Sequence, residues 1–162
     1  MECTFTAYYL MIVVEGSDVR SGGALDSLYM PFYNADLESG RFSQSRLCVL
    51  VDCFFCRWSA MDVVSNIPFY LGGWDSREKA DRIGKFSYFL VNRYRNLNLC
   101  SPKMQIRCNR FTPRALIEYV LDCIRSGSSS FVFMNDDAVI PALTALGESE
   151  RGAAVPSPRA RF

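Results

Sequence analysis

The spacing of apolar residues predicts two helices in the first third of the chain. One covers residues 25–38, where Pro31 suits a first turn best, so its regular part is expected to begin near Tyr29. Gly40 follows as a helix stop, and Ser43 is an N-cap candidate for the second helix. The residues predicted to face inward are Leu28, Phe32 and Leu37 in the first helix, and Leu47, Leu50, Val51, Phe54, Phe55 and Trp58 in the second.

Short apolar strands alternate with further helices in the second half, with strands predicted at residues 67–71, 104–108 and 130–134. Asp75 and Glu78 have the spacing of a capping box, which predicts that a helix begins there. The predicted apolar stripe of that helix is Ile83, Phe86, Leu90, Val91, Tyr94 and Leu97.

Two more helices have clear end signals. Thr112 as N-cap, Pro113 at the first helical position and Gly127 beyond the end frame one helix, and Asn135 caps another that begins with Asp136. Their predicted inward residues are Leu116, Ile117, Val120, Leu121 and Ile124 in the first, and Val139, Ile140, Leu143 and Leu146 in the second.

The alternation of strand and helix over residues 67–146 predicts an α/β fold. Strands joined by helical crossovers pair in parallel through right-handed connections. Three such strands cannot close a barrel, so this unit is expected to be part of a larger structure. The apolar surface that such a unit would leave exposed is expected at Trp58, Phe69, Trp74 and Phe131. The apolar segment at residues 4–15 fits either a helix or a strand.

The apolar periodicity stops after Gly147. Residues 148–162 are weighted to Ala, Pro and Arg without a period, so we expect a disordered tail that nothing anchors to a core. A frameshift or misassigned boundary near Glu150 would account for this composition, and the segment is interpreted as a disordered or out-of-frame tail.

Charge and hydropathy exclude several classes of protein. The chain has 18 basic and 17 acidic residues and a net charge of +1, so neither nucleic acid nor an anionic membrane attracts it by field alone. The longest apolar run, residues 8–14, is far shorter than the ~20 residues that cross a bilayer. No basic segment precedes it, so no signal peptide is identified and a cytoplasmic location is expected.

The cysteines do not form a recognisable framework. There are seven, and the odd count argues against a set of secreted disulfides. Cys53 and Cys56 form a C-x-x-C motif that fits redox chemistry or half a zinc site, but the chain has no histidine. Because the pair lies within a helical apolar pattern where one thiol joins the core stripe, we interpret both as buried, reduced structural thiols.

Three stretches form an ordered set of landmarks. In the first, residues 25–33 read LDSLYMPFY and residues 36–40 read DLESG. The second is Gly72-Gly73 with Asp75, before a helix in which residues 85–88 read KFSY. The third is Pro102 with Arg107, a Pro-initiated helix, Gly127, FVFMNDD at residues 131–137 and IPAL at residues 140–143. In this order they resemble the large domain of pyruvate formate-lyase and its dehydratase relatives, the glycyl-radical enzymes.

The resemblance implies that residues 1–147 are a partial domain of this family, with parallel β-α-β units forming part of its large barrel, preceded by helices. It further implies a small-molecule substrate, a radical-SAM activating enzyme and a homodimer as partners, and no nucleic acid or membrane. The family binds no separate cofactor for the radical, which is held on a protein glycine. The activity would be that of a lyase or acyltransferase of the formate acetyltransferase kind, or of a dehydratase.

The catalytic residues of the family are not matched. In the family a glycyl radical takes a hydrogen atom from a cysteine that follows the Asn-Asp-Asp helix in a Gly-Cys-Val-Glu or Cys-Cys context, but here no cysteine follows Cys123. The Arg-Val-x-Gly-Tyr pattern of the radical glycine is not matched either, because Gly152 is followed by Ala153-Ala154. No catalytic residue is carried over, and the chain alone is expected to be inactive.

The matched residues are interpreted as scaffold. Gly72 and Gly73 are expected to let the chain turn tightly at a strand end, and Asn135 and Asp136 to hold the strand-to-helix turn by hydrogen bonds from backbone to side chain. A substrate contact at this edge fits the location of α/β sites.

Some alternatives remain open. Arg107 or Arg110 could bind a substrate carboxylate. A stand-alone α/β module that binds a small molecule without catalysis, and a non-functional product of a broken reading frame, are the competing interpretations of the whole chain.

Overall fold

The computed structural model describes Thr6, residues 22–60 and residues 68–154. The apolar segment predicted at residues 4–15 therefore lies, apart from Thr6, outside the described residues, as does residue 67 of the first predicted strand. In chain order the elements are α1 (Leu25–Glu38), α2 (Gln44–Ala60), β1 (Phe69–Gly72), β2 (Trp74–Asp75), β3 (Ala80–Asp81), α3 (Lys85–Leu97), β4 (Met104–Cys108), α4 (Arg114–Arg125), β5 (Phe131–Asn135), α5 (Asp136–Ala145) and α6 (Glu150–Ala154).

The main sheet confirms the predicted parallel pairing. Its order is β1-β4-β5, with both pairs parallel and with α3 and α4 as the crossovers. Residues of one face, such as Phe69, Met104 and Phe131, pack into a core with the helices. The opposite face carries Arg107, which is paired in register with Gly72 and Met134.

Aromatic rings fill the core between α2, α3 and the sheet. Phe55 lies 5.4 Å from Phe69 and 5.0 Å from Tyr94 between ring centroids, and Trp58 lies 5.4 Å from Phe69. The prediction that Trp58, Phe69 and Phe131 are exposed is therefore wrong, because the two long helices cover this face of the sheet. Trp74 is half-buried and stacks on Phe111.

The helix α1 has the predicted bounds, but of its three predicted inward residues only Leu37 packs against the core. Leu28 and Phe32 are 52% and 46% exposed. The buried residues are Leu25, Asp26, Tyr29 and Tyr33. Both faces of α1 are apolar enough to be buried. The buried face is the one that carries Asp26, because its carboxylate accepts hydrogen bonds from Gly72 and Ser87. The regular helix also begins earlier than expected, so Pro31 lies inside it.

The N-cap and inward stripe of α2 agree with the sequence. The Oγ atom of Ser43 accepts a hydrogen bond from the Arg46 amide at 3.3 Å. The buried residues are Leu47, Val51, Phe54, Phe55 and Trp58, and Leu50 is half-buried. The prediction of buried thiols is wrong, because Cys53 and Cys56 both lie on the exposed side of this helix.

The capping box predicted at Asp75 and Glu78 is instead the turn of a β-hairpin, β2–β3. The Oδ1 atom of Asp75 accepts from the amides of Arg77 and Glu78, as an N-cap would, but the chain turns back and pairs with itself. The helix α3 begins only at Lys85, so Ile83 of the predicted stripe lies before it. Its buried apolar residues were all predicted to face inward: Phe86, Leu90, Val91 and Tyr94. Ser87 is buried as well.

The N-terminus of α4 also differs from the prediction. Pro113 is the N-cap, and the hydroxyl of Thr112 makes other bonds, accepting from the Asn109 amide at 2.9 Å. Gly127 follows the helix at φ +102°, as expected for its end. Leu116 and Val120 are buried, whereas Leu121 and Ile124 are exposed.

In the described part of the predicted tail, residues 148–154, the chain is anchored to a core, contrary to the expectation for these residues. Residues 150–154 form α6, where Ala153 and Ala154 are buried against Ile140 of α5. Small side chains allow this close approach, which an apolar-stripe criterion overlooks. Residues 155–162 lie outside the described part of the chain.

Candidate functional site

The carboxyl ends of β1, β4 and β5 meet at one edge of the sheet, where sites of α/β proteins lie. The strands end in Gly72, Cys108 and Asn135. Three carboxylates and their donors surround these ends, and they belong to α1, β3 and α5.

The two glycines after β1 hold the chain where a side chain would not fit. Gly72 has φ +73°, and a Cβ there would lie 2.5 Å from Ile83 Cδ1 and 2.9 Å from the carbonyl oxygen of Arg107. Gly73 has φ +106°, and its Cβ would lie 3.3 Å from Asp136 Oδ2. The left-handed backbone and the close neighbours both require glycine at the end of this strand.

The carboxylate of Asp26, in α1, holds the end of β1 by a hydrogen bond. Its Oδ2 atom accepts hydrogen bonds from the Gly72 amide at 2.8 Å and from Ser87 Oγ at 2.6 Å. Ser87 Oγ in turn accepts from the Gly84 amide at the start of α3. Burial raises the pKa of the Asp26 carboxyl, since loss of hydration outweighs the hydrogen bonds from Ser87 and Gly72 that lower it. One carboxyl thus joins α1, β1 and α3.

Asp136 and Arg107 form a buried ion pair at the centre of the edge. Arg107 Nε lies 2.8 Å from Asp136 Oδ1, and the exposed fractions of the two side chains are 3% and 1%. Asp136 Oδ2 accepts from the Trp74 amide at 2.8 Å, and Arg107 Nη1 donates to the Ala154 carbonyl at 2.9 Å. The pair therefore connects the centre of the sheet with the β1–β2 turn, α5 and α6.

The third carboxylate, Asp81, organises the loop after β4. Its Oδ2 atom accepts from Asn109 Nδ2 at 2.9 Å and from the Thr112 hydroxyl. Its Oδ1 atom accepts from the Ile83 amide at 2.8 Å. Burial raises the pKa of the Asp81 carboxyl more than these hydrogen bonds lower it.

Asn135 and Asp136 perform different tasks. Asn135 Oδ1 accepts from the Asp137 amide at 3.0 Å and so caps α5, as its sequence context indicates. Asp136 does not cap the turn and binds Trp74 and Arg107 instead. Arg110 lies outside this group and is exposed beside Asp137, whose Oδ2 accepts from the Arg110 amide at 2.7 Å.

The cysteine at this edge is not poised as a nucleophile. Cys108 Sγ donates to the Met134 carbonyl at 3.5 Å. Burial is the main cause of the raised pKa of its thiol, and the nearby charge of Asp136 adds to it. The raised pKa disfavours the thiolate, which is the nucleophilic form of cysteine.

Sequence reasoning found four scaffold residues of this edge and named Arg107 as a candidate carboxylate ligand, but it missed two of the carboxylates. Gly72, Gly73, Asn135 and Asp136 lie together at the strand ends. Asp26 and Asp81 were given no role, although Asp26 stands beside Leu25 on an apolar helix face, an expensive position for an unbonded carboxylate.

The glycine compared in sequence with the radical glycine of the family lies in a helix. Gly152 lies inside α6, where a Cβ would meet Ser149 Oγ at 3.0 Å. Within residues 22–60 and 68–154 no three metal-ligating side chains cluster, and no helix is long and apolar enough to cross a bilayer.

An open cleft of about 510 Å³ lies beside the edge, between α1 and the β2–β3 hairpin. Met30 and Ile83 supply apolar lining, and an ion pair of Asp75 with Arg82 at 3.2 Å lies at its rim. Ser27 and Asp81 contribute polar groups.

Known proteins resemble this chain in sequence and in fold. The isethionate sulfite-lyase of Oleidesulfovibrio alaskensis is 20% identical over 90% of this chain, which spans 19% of that relative. The trans-4-hydroxy-L-proline dehydratase of Clostridioides difficile is 20% identical over 82% of this chain and 18% of its own length. The glycerol-bound, B12-independent glycerol dehydratase of Clostridium butyricum superposes with a TM-score of 0.74 at 22% identity, over 83% of this chain and 18% of that one. A glycyl radical enzyme from Archaeoglobus fulgidus superposes with a TM-score of 0.73 at 20% identity, over 83% of this chain and 19% of that one.

A family model extends over nearly the whole sequence. The model described as pyruvate formate lyase-like matches residues 2–155, which includes all three stretches of the resemblance and α6. The parallel sheet with its helices corresponds to part of the barrel of glycyl radical enzymes. This chain belongs to the pyruvate formate lyase-like family of glycyl radical enzymes and spans 19% of the length of the isethionate sulfite-lyase named above.

Proposed function

We propose that this chain supplies a scaffold segment of a glycyl radical lyase or dehydratase and that it carries no radical chemistry by itself. Its three parallel strands would be consecutive parts of the barrel wall, with their carboxyl ends directed at the reaction space. The dehydratases and the sulfite-lyase among the relatives favour an elimination over the acyl transfer of a formate acetyltransferase. The substrate would be a small molecule, and the full-length enzyme would need a radical-SAM activase and form a homodimer.

The observation that carries this proposal is the internal pairing of the polar groups at the strand ends. Arg107 is paired with Asp136 and the Ala154 carbonyl, and Asp26 is bonded to Gly72 and Ser87. Groups that bind each other at full hydrogen-bonding distance fix the backbone and do not capture substrate. This edge therefore acts as a rigid base on which other residues of a full-length enzyme would perform catalysis.

Electron paramagnetic resonance tests this assignment. After treatment with a reduced radical-SAM activase and S-adenosylmethionine, the purified chain should give no organic radical signal. It should also release no formate when pyruvate and coenzyme A are added and no aldehyde when glycerol is added. A full-length glycyl radical dehydratase treated in the same way is the positive control. A glycine-centred doublet from this chain that disappears in Gly152→Ala would contradict the proposal.

The cleft beside the hairpin favours a second candidate, a binding module without catalysis. Its volume suits a small ligand, and its lining combines Met30 and Ile83 with Asp81 and Arg82. Glycerol, which the similar glycerol dehydratase binds, and trans-4-hydroxy-L-proline, after which the similar dehydratase of Clostridioides difficile is named, are the first ligands to test. Saturable binding by calorimetry that Ile83→Asp abolishes would favour the module over the scaffold.

A further inference from the structure

The exposed side of α2 presents two thiols that the proposed function does not use. Cys53 and Cys56 are both exposed and both free, and they are three residues apart within a continuous helix. The buried residues of α2 lie on the opposite side, so the two sulfur atoms are available to solvent.

The helix sets the separation of the two side chains. Residues at i and i+3 of an α-helix have Cβ atoms about 5–6 Å apart. A disulfide needs a Cβ–Cβ distance of about 3.5–4.5 Å, so direct oxidation would distort the helix. An atom placed between the sulfurs removes this mismatch, because two sulfur–ion bonds of about 2.3 Å each lengthen the bridge. The spacing therefore favours capture of a third atom over formation of a disulfide.

We propose that Cys53 and Cys56 together bind one thiophilic atom that has two open coordination positions. Trivalent arsenic that carries one organic substituent is an example of such an atom. With phenylarsine oxide, the two thiols lose their protons, two As–S bonds form, and the oxygen leaves as water. Arsenic remains trivalent, so no oxidant or reductant is needed.

Two features of the chain make this pair distinct. Val49 lies four residues before Cys53 and is 55% exposed, so it offers an apolar contact one turn away for an aryl group. The other described cysteines are isolated by sequence or burial. Cys48 is half-buried on the same helix, Cys100 is exposed in a loop, Cys108 is half-buried in β4 and Cys123 is buried in α4.

Intact-protein mass spectrometry tests the site on the reduced chain. One equivalent of phenylarsine oxide should give a single adduct per chain. Because the second sulfur binds intramolecularly, the adduct should survive roughly 100-fold more glutathione than a one-thiol adduct does. A small dithiol, dimercaptopropanol, should remove it.

Variants locate the adduct. Cys53→Ser and Cys56→Ser should each lose the resistance to glutathione, whereas Cys100→Ser, which removes an exposed thiol elsewhere, should keep it. Both positions are exposed, so circular dichroism should show an unchanged helix content. Full resistance in Cys53→Ser or Cys56→Ser would overturn the proposal. So would quantitative formation of a 53–56 disulfide in glutathione disulfide with no change in the helix signal, since it would place the thiols at disulfide distance.

Discussion

At the scale of single residues, a few buried polar groups hold the strand ends in place. A buried charge is costly unless it is paired and hydrogen-bonded, and Arg107 and Asp136 satisfy each other as well as two backbone groups. An exposed pair of the same charge types, Arg110 and Asp137, lies at the same edge and allows a direct comparison.

Removal of the buried carboxylate should be far more destabilising than removal of the exposed one. Asp136→Asn leaves the Arg107 charge buried without a counter-charge and should lower the free energy of unfolding by about 3 kcal/mol. Asp137→Asn should lower it by less than about 1 kcal/mol, because its partner is hydrated. Urea denaturation measures both changes, and equal losses would show that burial of the pair has no role in stability.

The buried carboxyl of Asp26 should make stability depend on pH in an identifiable direction. Burial raises the pKa of the Asp26 carboxyl in the folded chain above its ordinary value, which the unfolded chain keeps. Between these two pKa values the folded chain binds more protons there than the unfolded chain. Stability from this group therefore falls as pH rises from the unfolded pKa through the raised one, and the full penalty is present above it.

Asp26→Asn removes this titration and should flatten the fall in unfolding free energy over that window. Asp81, whose pKa is also raised, remains in the variant, so the difference between the two curves belongs to Asp26. Chemical denaturation at a series of pH values measures it. A variant curve parallel to that of the unmodified chain would contradict the raised pKa.

At the scale of elements, α2 is the helix whose orientation decides the core. Its inward stripe meets the sheet through Phe55 and Trp58, and its outward side carries Val49 and the two thiols. This orientation can be tested by making the same substitution, valine to alanine, once on each side of the helix.

Val51→Ala should cost about 2 kcal/mol, because it removes two methyl groups from a fully buried side chain and leaves a cavity. Val49→Ala should change the free energy of unfolding by less than about 0.5 kcal/mol, because this side chain is largely exposed and alanine favours helices. Thermal and urea unfolding measure the pair. The reverse order would place the opposite face of α2 in the core.

At the scale of the whole molecule, the described part of the chain leaves apolar surface uncovered. Leu121 and Ile124 share an exposed face of α4, Val132 of the outer strand β5 is 42% exposed, and the far side of β5 has no paired strand among the described residues. Parallel sheets are normally covered on both faces, so such surface fits a segment of a larger barrel.

The isolated chain should therefore self-associate or bind a hydrophobic dye at micromolar concentration. Replacing Leu121 and Ile124 together by lysine should reduce both effects, whereas replacing the exposed Glu118 of the same helix by lysine should not. Sedimentation velocity and dye fluorescence measure the outcome. A monomer that binds no dye would show that the chain forms a complete domain.

The class of the fold and most of the element boundaries could be predicted from the amino-acid sequence. Local signals were sufficient to place a helix end where the residue fits only one conformation, as with the N-caps Ser43 and Asn135 and the helix stop Gly127. Parallel pairing followed from the helical crossovers, because a chain that returns through a helix enters the next strand in the same direction. The ordered landmarks also indicated the family that the comparison with known proteins supports.

Where one local sequence pattern fits two conformations, contacts between residues far apart in the chain selected the one observed. The carboxylate of Asp75 binds the same backbone amides in a helix cap and in a hairpin turn, so distant packing chose between them. Two faces of α1 are apolar, and the bonds of Asp26 to residues far along the chain selected the buried one. The position of α6 depends on its contact with α5, and the exposure of Cys53 depends on the absence of a covering element among the described residues. Apolar periodicity along the chain carries no information about either.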